Sequence, residues 1–348
     1  MERVKQKYFA ASNSAEGFKS YYGEVFDPCK YSRIYVIKGG SGTGKGYFMK
    51  EVAREAEKRG FFPTYIYCSS DPESLDGVII PELTTAIIDG TAPHVVEPSL
   101  VGAIEVIVDL GAFLNTSMLS GSRKVIGEIV RQKDECYERA YRYLAAYKQI
   151  SENMDRMILP YLKLEKMKKF VARLTSDISG EGNEEYRLVR SVGMKGRVFF
   201  DTYRRNAEIY YRIDDHYESA HFLMQELYRA LHQRGADMKL SPDPIISARY
   251  GSISFDNDRV AFEIAGDAQD EGRAVNMKRF LDGVGTVRIR GDFRAAMRVR
   301  DNVSDLAQLE LEKAKKYHFT LEEIYGAAMD FEAKEQLTRE ICDKIFAK

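Results

Sequence analysis

Cysteine is too sparse in this 348-residue chain to build a framework. Cys29, Cys68, Cys136 and Cys342 lie far apart with no C-x-x-C pair, which predicts reduced, mostly buried thiols in a cytoplasmic protein. Net charge is also lacking: 52 basic and 53 acidic residues leave −1, so no global basic field argues for nucleic acid or an anionic membrane. No apolar run approaches a membrane span, and the opening MERVKQKYFAASNSAEGF has no apolar core of a secretory leader. Histidine offers no metal site, because His216, His221 and His232 stand at spacings of five and eleven without a cysteine partner. No [NT]-K-x-D sequence reads guanine, which leaves adenine as the default base. These absences describe a soluble chain long enough for one large or two ordinary domains.

What the chain does have is a glycine-rich stretch between a strand and a helix. Arg33 to Lys38 (RIYVIK) predicts a strand, and Gly39 to Gly46 (GGSGTGKG) follows it directly. Tyr47 to Arg59 then places Phe48, Val52, Ala53 and Ala56 on one helical face, with Gly60 as the stop. A second strand spans Thr64 to Cys68, a polar loop runs from Ser69 to Asp76, and Val78-Ile79-Ile80 follows. A further strand from Thr84 to Ile88 ends at Asp89-Gly90. This order predicts an α/β fold with a doubly wound parallel sheet.

The stretch satisfies G-x-x-x-x-G-K-[ST] except at its last position. A polyphosphate needs unpaired N–H groups at a helix N-terminus and a backbone free to turn them inward. Gly39, Gly40, Ser41, Gly42, Thr43, Gly44, Lys45 and Gly46 are therefore the candidate ATP-binding residues, with Lys45 set against the β- and γ-phosphates. Gly46 removes the hydroxyl that would meet Mg²⁺, which predicts weak Mg²⁺ dependence and slow or absent hydrolysis. Thr43 carries a hydroxyl, but from a different position in the loop. Asp89, 44 residues after Lys45, is the favoured metal-holding and catalytic carboxylate, and Asp109 is the other strand-end candidate. No glutamate follows either, His94 is the nearby group for orienting water, and Asp71 or Asp76 would face a phosphoryl acceptor.

From Arg123 to about Leu174 the chain is charged, largely free of glycine and helical in its apolar spacing, with Pro160 as a break. Ser176 to Glu185 is the best linker, giving a nucleotide-binding domain over 1–180, with a helical segment at about 116–178, and a second domain over 186–348. The second half repeats the first. A shift of 175 superposes Ile34-Tyr35 on Ile209-Tyr210, Met49 on Met224, Glu51 on Glu226, Arg54 on Arg229 and Arg59-Gly60 on Arg234-Gly235. A shift of 167 overlays the helix ending near Leu174 on the one ending near Ile341. Beneath the glycine-rich stretch lie Asp214 to His221 (DDHYESAH), with Ala220 under Lys45, so the second copy reads as degenerate. Arg288, Arg290, Arg294, Arg298 and Arg300 form a local basic cluster able to meet RNA phosphates, another polyanion or the nucleotide, or to serve as a solvated face.

GGSGTGKG, CSSDPESLDGVIIPEL, AIIDGTAPH and AMDFE (Ala328 to Glu332) together resemble an uncharacterised bacterial family of P-loop ATPase-like proteins. The resemblance covers most of the chain and is strongest from Arg33 to Pro98. It implies two related NTPase domains in tandem with helical segments after each sheet. Family members end the loop in GKS or GKT, so Gly46 departs from the pattern, as does the acidic second loop. Three readings stand at this point: an ATP-binding protein with weak or absent hydrolysis that signals by conformation, a small-molecule or nucleoside kinase, and a non-enzymatic module binding a protein partner or a second copy.

Overall fold

In a computed structural model that describes residues 4–265 and 272–347, the chain is an α/β protein built around two six-stranded sheets. It opens with β1 (Gln6–Phe9), a hairpin of β2 (Ala11–Ser14) and β3 (Gly17–Ser20), and the short helix α1 (Tyr22–Val25). Next, β4 (Arg33–Lys38) feeds the glycine-rich loop and α2 (Lys45–Lys58). The strands β5 (Thr64–Tyr67), β6 (Leu75–Ile80), β7 (Thr85–Asp89) and β8 (Glu105–Asp109) follow, giving the sheet order β1-β5-β6-β7-β4-β8. Helices α3 (Thr116–Gly121), α4 (Arg123–Ile158) and α5 (Leu164–Leu174) lead into the second half. That half contains β9 (Glu184–Tyr186), β10 (Arg190–Gly193), β11 (Gly196–Phe199), α6 (Thr202–Asn206), β12 (Ile209–Asp214) and α7 (Ala220–Gln233). It continues through β13 (Met238–Pro242), β14 (Tyr250–Phe255), β15 (Val260–Ile264) and β16 (Arg273–Asn276) to the long α8 (Gly283–Ala327) and α9 (Phe331–Phe346). No described helix is long and apolar enough to cross a membrane.

The sheets are mixed rather than parallel, which corrects the expectation. β6 runs antiparallel to both β5 and β7, whereas β1/β5, β4/β7 and β4/β8 are parallel. The cause is connection length: residues 68–74 and 81–84 are too few for the crossover of a dozen or more residues that parallel neighbours need. Helices also fail to cover both faces of the first sheet. One face takes α2 and α9, and the other packs Tyr8, Tyr22 and Phe26 against Leu188 and Tyr203 of the second half. The linker expected over Ser176 to Glu185 is shorter than read, because its last residues enter β9 at the edge of the second sheet.

The second sheet, read β9-β13-β14-β15-β12-β16, has the strand order and directions of the first. Its hairpins also share register at the 175-residue offset. Thr64 pairs Ile79 where Lys239 pairs Ser254, and Gly77 pairs Ile88 where Ser252 pairs Glu263. The irregularity between Ile66 and Tyr67 recurs between Ser241 and Pro242. α2 and α7 begin and end at matching positions.

The long helices pack crosswise. Pro160 ends α4, as the sequence predicts, and α4 and α8 then lie against each other along their lengths. α5, from the first half, packs on α7 and buries Met167 and Val171 in the second core. α9, from the second half, packs on α2 and buries Ile341, Cys342, Ile345 and Phe346 in the first core. Each crossing uses the same bonds 167 residues apart. Asn115 N donates to Ala328 O (2.8 Å) and Asp282 N to Tyr161 O (2.9 Å). Asp330 N donates to Phe113 O (3.0 Å) and Lys163 N to Phe280 O (2.8 Å). The helical segment 116–178 thus follows the first sheet in sequence but completes the core of the second.

Candidate functional site

β4 delivers the glycine-rich loop at its C-terminal end, between β7 and β8, and α2 starts at Lys45. Gly42 (φ 73°) and Gly44 (φ 80°) are left-handed, a conformation costly for residues with a β-carbon. The loop is also braced from the other half. A β-carbon on Gly42 would stand 2.5 Å from the Glu322 carbonyl oxygen of α8, and one on Gly40 would meet the Tyr325 ring at 3.4 Å. Thr43 is fully buried and its Oγ1 donates to Gly40 O at 2.9 Å, so its hydroxyl ties the loop to itself.

Lys45 Nζ donates to Gly39 O and Gly40 O, both at 2.9 Å, and stands 3.6 Å from Asp89 Oδ2, with both side chains 13% exposed. Asp89, the last residue of β7, is fixed by Thr91, whose N–H donates to Oδ1 at 2.9 Å and whose hydroxyl donates at 2.5 Å. Burial pushes the Asp89 carboxyl above its usual range; Lys45 opposes the rise and the nearby Asp76 adds to it. Asp109 ends β8 on the other flank of β4, is exposed, and accepts from Gly111 N at 2.8 Å. Of the two strand-end carboxylates, the fold brings Asp89 to Lys45.

The loop forms one wall of a cavity of about 1050 Å³, within the range of small-molecule sites. Asp71, Ser74, Asp76, Asp89 and His94 line it. Asp76 and His94 are buried, with Asp76 Oδ2 3.0 Å from His94 Nε2, and the imidazole stacks on Tyr22 at 4.2 Å. His94 Nδ1 is buried with no hydrogen-bond partner. Asp71 is a turn residue: its Oδ1 accepts from Glu73 N at 3.3 Å, and Lys195 lies 4.0 Å away.

Beyond Asp76 the cavity runs to Asn13, Phe18, Tyr137 and Tyr141, none of which sequence reasoning found. Asn13 donates from Nδ2 to Val192 O (2.7 Å) and accepts from the Tyr141 hydroxyl (3.0 Å). Tyr137 and Tyr141 share a face of α4 by their four-residue spacing, the one legible hint, whereas the N-terminal hairpin carries none. Lys334 of α9 is a further omission. It is 2% exposed, lies 4.2 Å over the Tyr47 ring, and its Nζ would be 3.4 Å from a β-carbon on Gly44.

The equivalent loop of the second half, Asp214 to His221, supplies its own anion. Asp215 Oδ1 accepts from Ala220 N at 2.9 Å, so a carboxylate occupies the start of α7. Positions 175 residues beyond Lys45, Gly46, Ser74 and Asp89 hold Ala220, His221, Arg249 and Ile264. His221 and Arg249 both face Asp155 of α4, at 3.4 Å from Nε2 and 2.5 Å from a guanidinium nitrogen. Burial, then the charge of Glu218, raise the Asp215 carboxyl from 3.8 to about 6. The folded state therefore holds this proton to higher pH than the unfolded chain, and the stability it contributes fades as pH rises from 3.8 through about 6. Asp215→Asn keeps the oxygen acceptor and is expected to stabilise the protein by on the order of 1–2 kcal/mol at pH 8 and by much less at pH 4, read by urea denaturation at both.

The arginine cluster does not form one surface. Arg288, Arg290, Arg294 and Arg298 are exposed on α8, whereas Arg300 is buried, 3.0 Å from Glu218 and 5.1 Å over the Tyr147 ring. Arg300 fastens α8 to the acidic loop, away from the Lys45 cavity, and its carboxylate partner removes it from any phosphate patch. Among the described residues no group of three or more His, Cys, Asp or Glu is placed to hold a metal unaided. No family model, curated protein or solved structure matches this chain.

Proposed function

We propose that the protein binds one nucleoside triphosphate per chain, with ATP as the default, at a P-loop made by Gly39 to Gly46. The observation that carries this reading is the placement of Lys45. Its ammonium is parked on two loop carbonyls beside a strand-end carboxylate, at the first turn of a helix that follows a sheet strand. A triphosphate would replace those carbonyls as the partner of Lys45 and meet the N–H groups of the loop and of α2. Mg²⁺, when present with the nucleotide, neutralises phosphate charge, and Asp89 is the carboxylate placed to hold it, directly or through water. Hydrolysis is slow or absent on this reading, because Gly90 follows Asp89 and His94 has Nε2 on Asp76.

The two halves read as tandem copies of one P-loop-class unit, supported by the matched sheet order, hairpin registers and reciprocal crossings. The second copy has exchanged its phosphate site for the Asp215 contact. Because Glu322 and Tyr325 of α8 brace the loop, nucleotide binding in the first half would be felt by the second, which suits a conformational signal rather than fast turnover. Titration calorimetry with ATP is expected to give one site per chain. Absence of heat with and without Mg²⁺, or two sites, would overturn this reading.

The depth of the cavity favours phosphoryl transfer to a small molecule as the second reading. Its far end, at Asn13, Tyr137 and Tyr141, offers hydrogen-bonding groups beyond the space a triphosphate would take at the loop, with Asp76 between. Transfer of label from [γ-³²P]ATP to a metabolite extract, lost in Lys45→Ala, would support it.

A further inference from the structure

The apparent defect at Gly46 has a structural counterpart 28 residues along the chain. A β-carbon built on Gly46 would lie 2.8 Å from Ser74 Oγ, closer than real side chains approach, with Leu75 N next at 3.8 Å. The Ser74 hydroxyl therefore occupies the space that a serine or threonine at position 46 would enter from α2. We propose that Ser74 supplies the hydroxyl ligand to a nucleotide-bound divalent cation, in place of the missing side chain at Gly46. This rests on the nucleotide-binding reading above and names how that site holds its metal.

Three features of the chain make Ser74 suitable. Its backbone is pinned on both sides: Ser74 N donates to Asp71 O at 2.9 Å, and Ser74 O accepts from Cys68 N at 3.1 Å. The next residue, Leu75, starts β6 and pairs Tyr67, so the hydroxyl is carried by the sheet rather than by a free loop. Ser74 Oγ makes no hydrogen bond among the described residues, although it lines the same cavity as Lys45 and Asp89. Asp89 stands on β7, the antiparallel neighbour of β6, so both oxygen donors are delivered by adjacent strands. Hard divalent cations such as Mg²⁺ take just such oxygen ligands and complete their shell with water and phosphate.

The second half provides an internal comparison. There the position of Gly46 carries His221, that of Ser74 carries Arg249 and that of Asp89 carries Ile264, so hydroxyl and carboxylate are lost together with the lysine. Glycine at 46 is then a requirement of Ser74 rather than a sign of decay. Gly46→Ser alone would collide with Ser74 and gain nothing, contrary to what the sequence motif suggests.

The test compares ATP affinity by calorimetry in EDTA and in excess MgCl₂ for the full-length wild type, Ser74→Ala and the double variant Gly46→Ser/Ser74→Gly. Wild type is expected to bind ATP more tightly with Mg²⁺. Ser74→Ala is expected to keep its EDTA affinity and thermal midpoint while losing about tenfold of the Mg²⁺-dependent gain. The double variant, which moves the hydroxyl to α2, is expected to recover that gain. A full Mg²⁺ gain in Ser74→Ala overturns the proposal, as does wild type that binds ATP without any gain. No ATP binding under either condition removes the nucleotide reading itself, so the two failures are distinguishable.

Discussion

Lys45→Ala is expected to weaken ATP binding about 100-fold while leaving the protein folded. In the structure the Lys45 ammonium is largely shielded from water and sits 2.9 Å from two loop carbonyls and 3.6 Å from Asp89. A bound triphosphate would convert those neutral contacts into charge-assisted bonds, worth about 1.5–3 kcal/mol each when partly desolvated. Loss of roughly 2.7 kcal/mol corresponds to the stated 100-fold in the dissociation constant. Lys45→Arg keeps the charge but brings a planar fork in place of a point charge, and should recover only part of the affinity. The fold should tolerate the alanine, because the α2 core face at Phe48, Met49, Val52 and Ala56 is untouched. Affinity within threefold of wild type by calorimetry would remove Lys45 from the site.

Cutting the chain at its linker is expected to unfold its first half. Residues 1–180 contain all of the first sheet, but the core on one face of that sheet also needs Met329, Ile341, Cys342, Ile345 and Phe346 from the second half. Burying such side chains contributes about 1.5–3 kcal/mol each, so the five together rival the ~5–15 kcal/mol that stabilises a whole domain. The fragment should therefore lack a cooperative thermal transition, and co-expression with residues 181–348 should restore one in a 1:1 complex. A monomeric fragment melting cooperatively on its own would show that the crosswise helices are ornaments on two independent domains.

The sequence carried the local half of this account well. The strand at Arg33 to Lys38, the following helix, the Pro160 break and Asp89 as the carboxylate facing Lys45 were all legible, because each rests on short-range patterning. The 175- and 167-residue offsets also reappear in the structure, one in the hairpin registers and the other in the helix crossings. What escaped is non-local. β1 is four half-polar residues whose partner, β5, lies 58 positions away, and nothing in QKYF announces that pairing. Amphipathic spacing showed that α5 and α9 bury a face, but it cannot say against which sheet. Gly46 read as a lost hydroxyl because motif matching inspects one position, while the neighbouring hydroxyl at Ser74 arrives from a different strand. Arg300 looked like part of a basic patch until helical geometry turned it inward onto Glu218.

The central claim is that the first half alone offers a phosphate cradle, and a crystal structure with a non-hydrolysable ATP analogue tests it most directly. The triphosphate should lie along Gly39 to Gly46 with Lys45 released from the Gly39 and Gly40 carbonyls, and the Asp214 to His221 loop should remain closed on Asp215. An analogue seated at the second loop, or phosphates lying away from Lys45, would contradict the account.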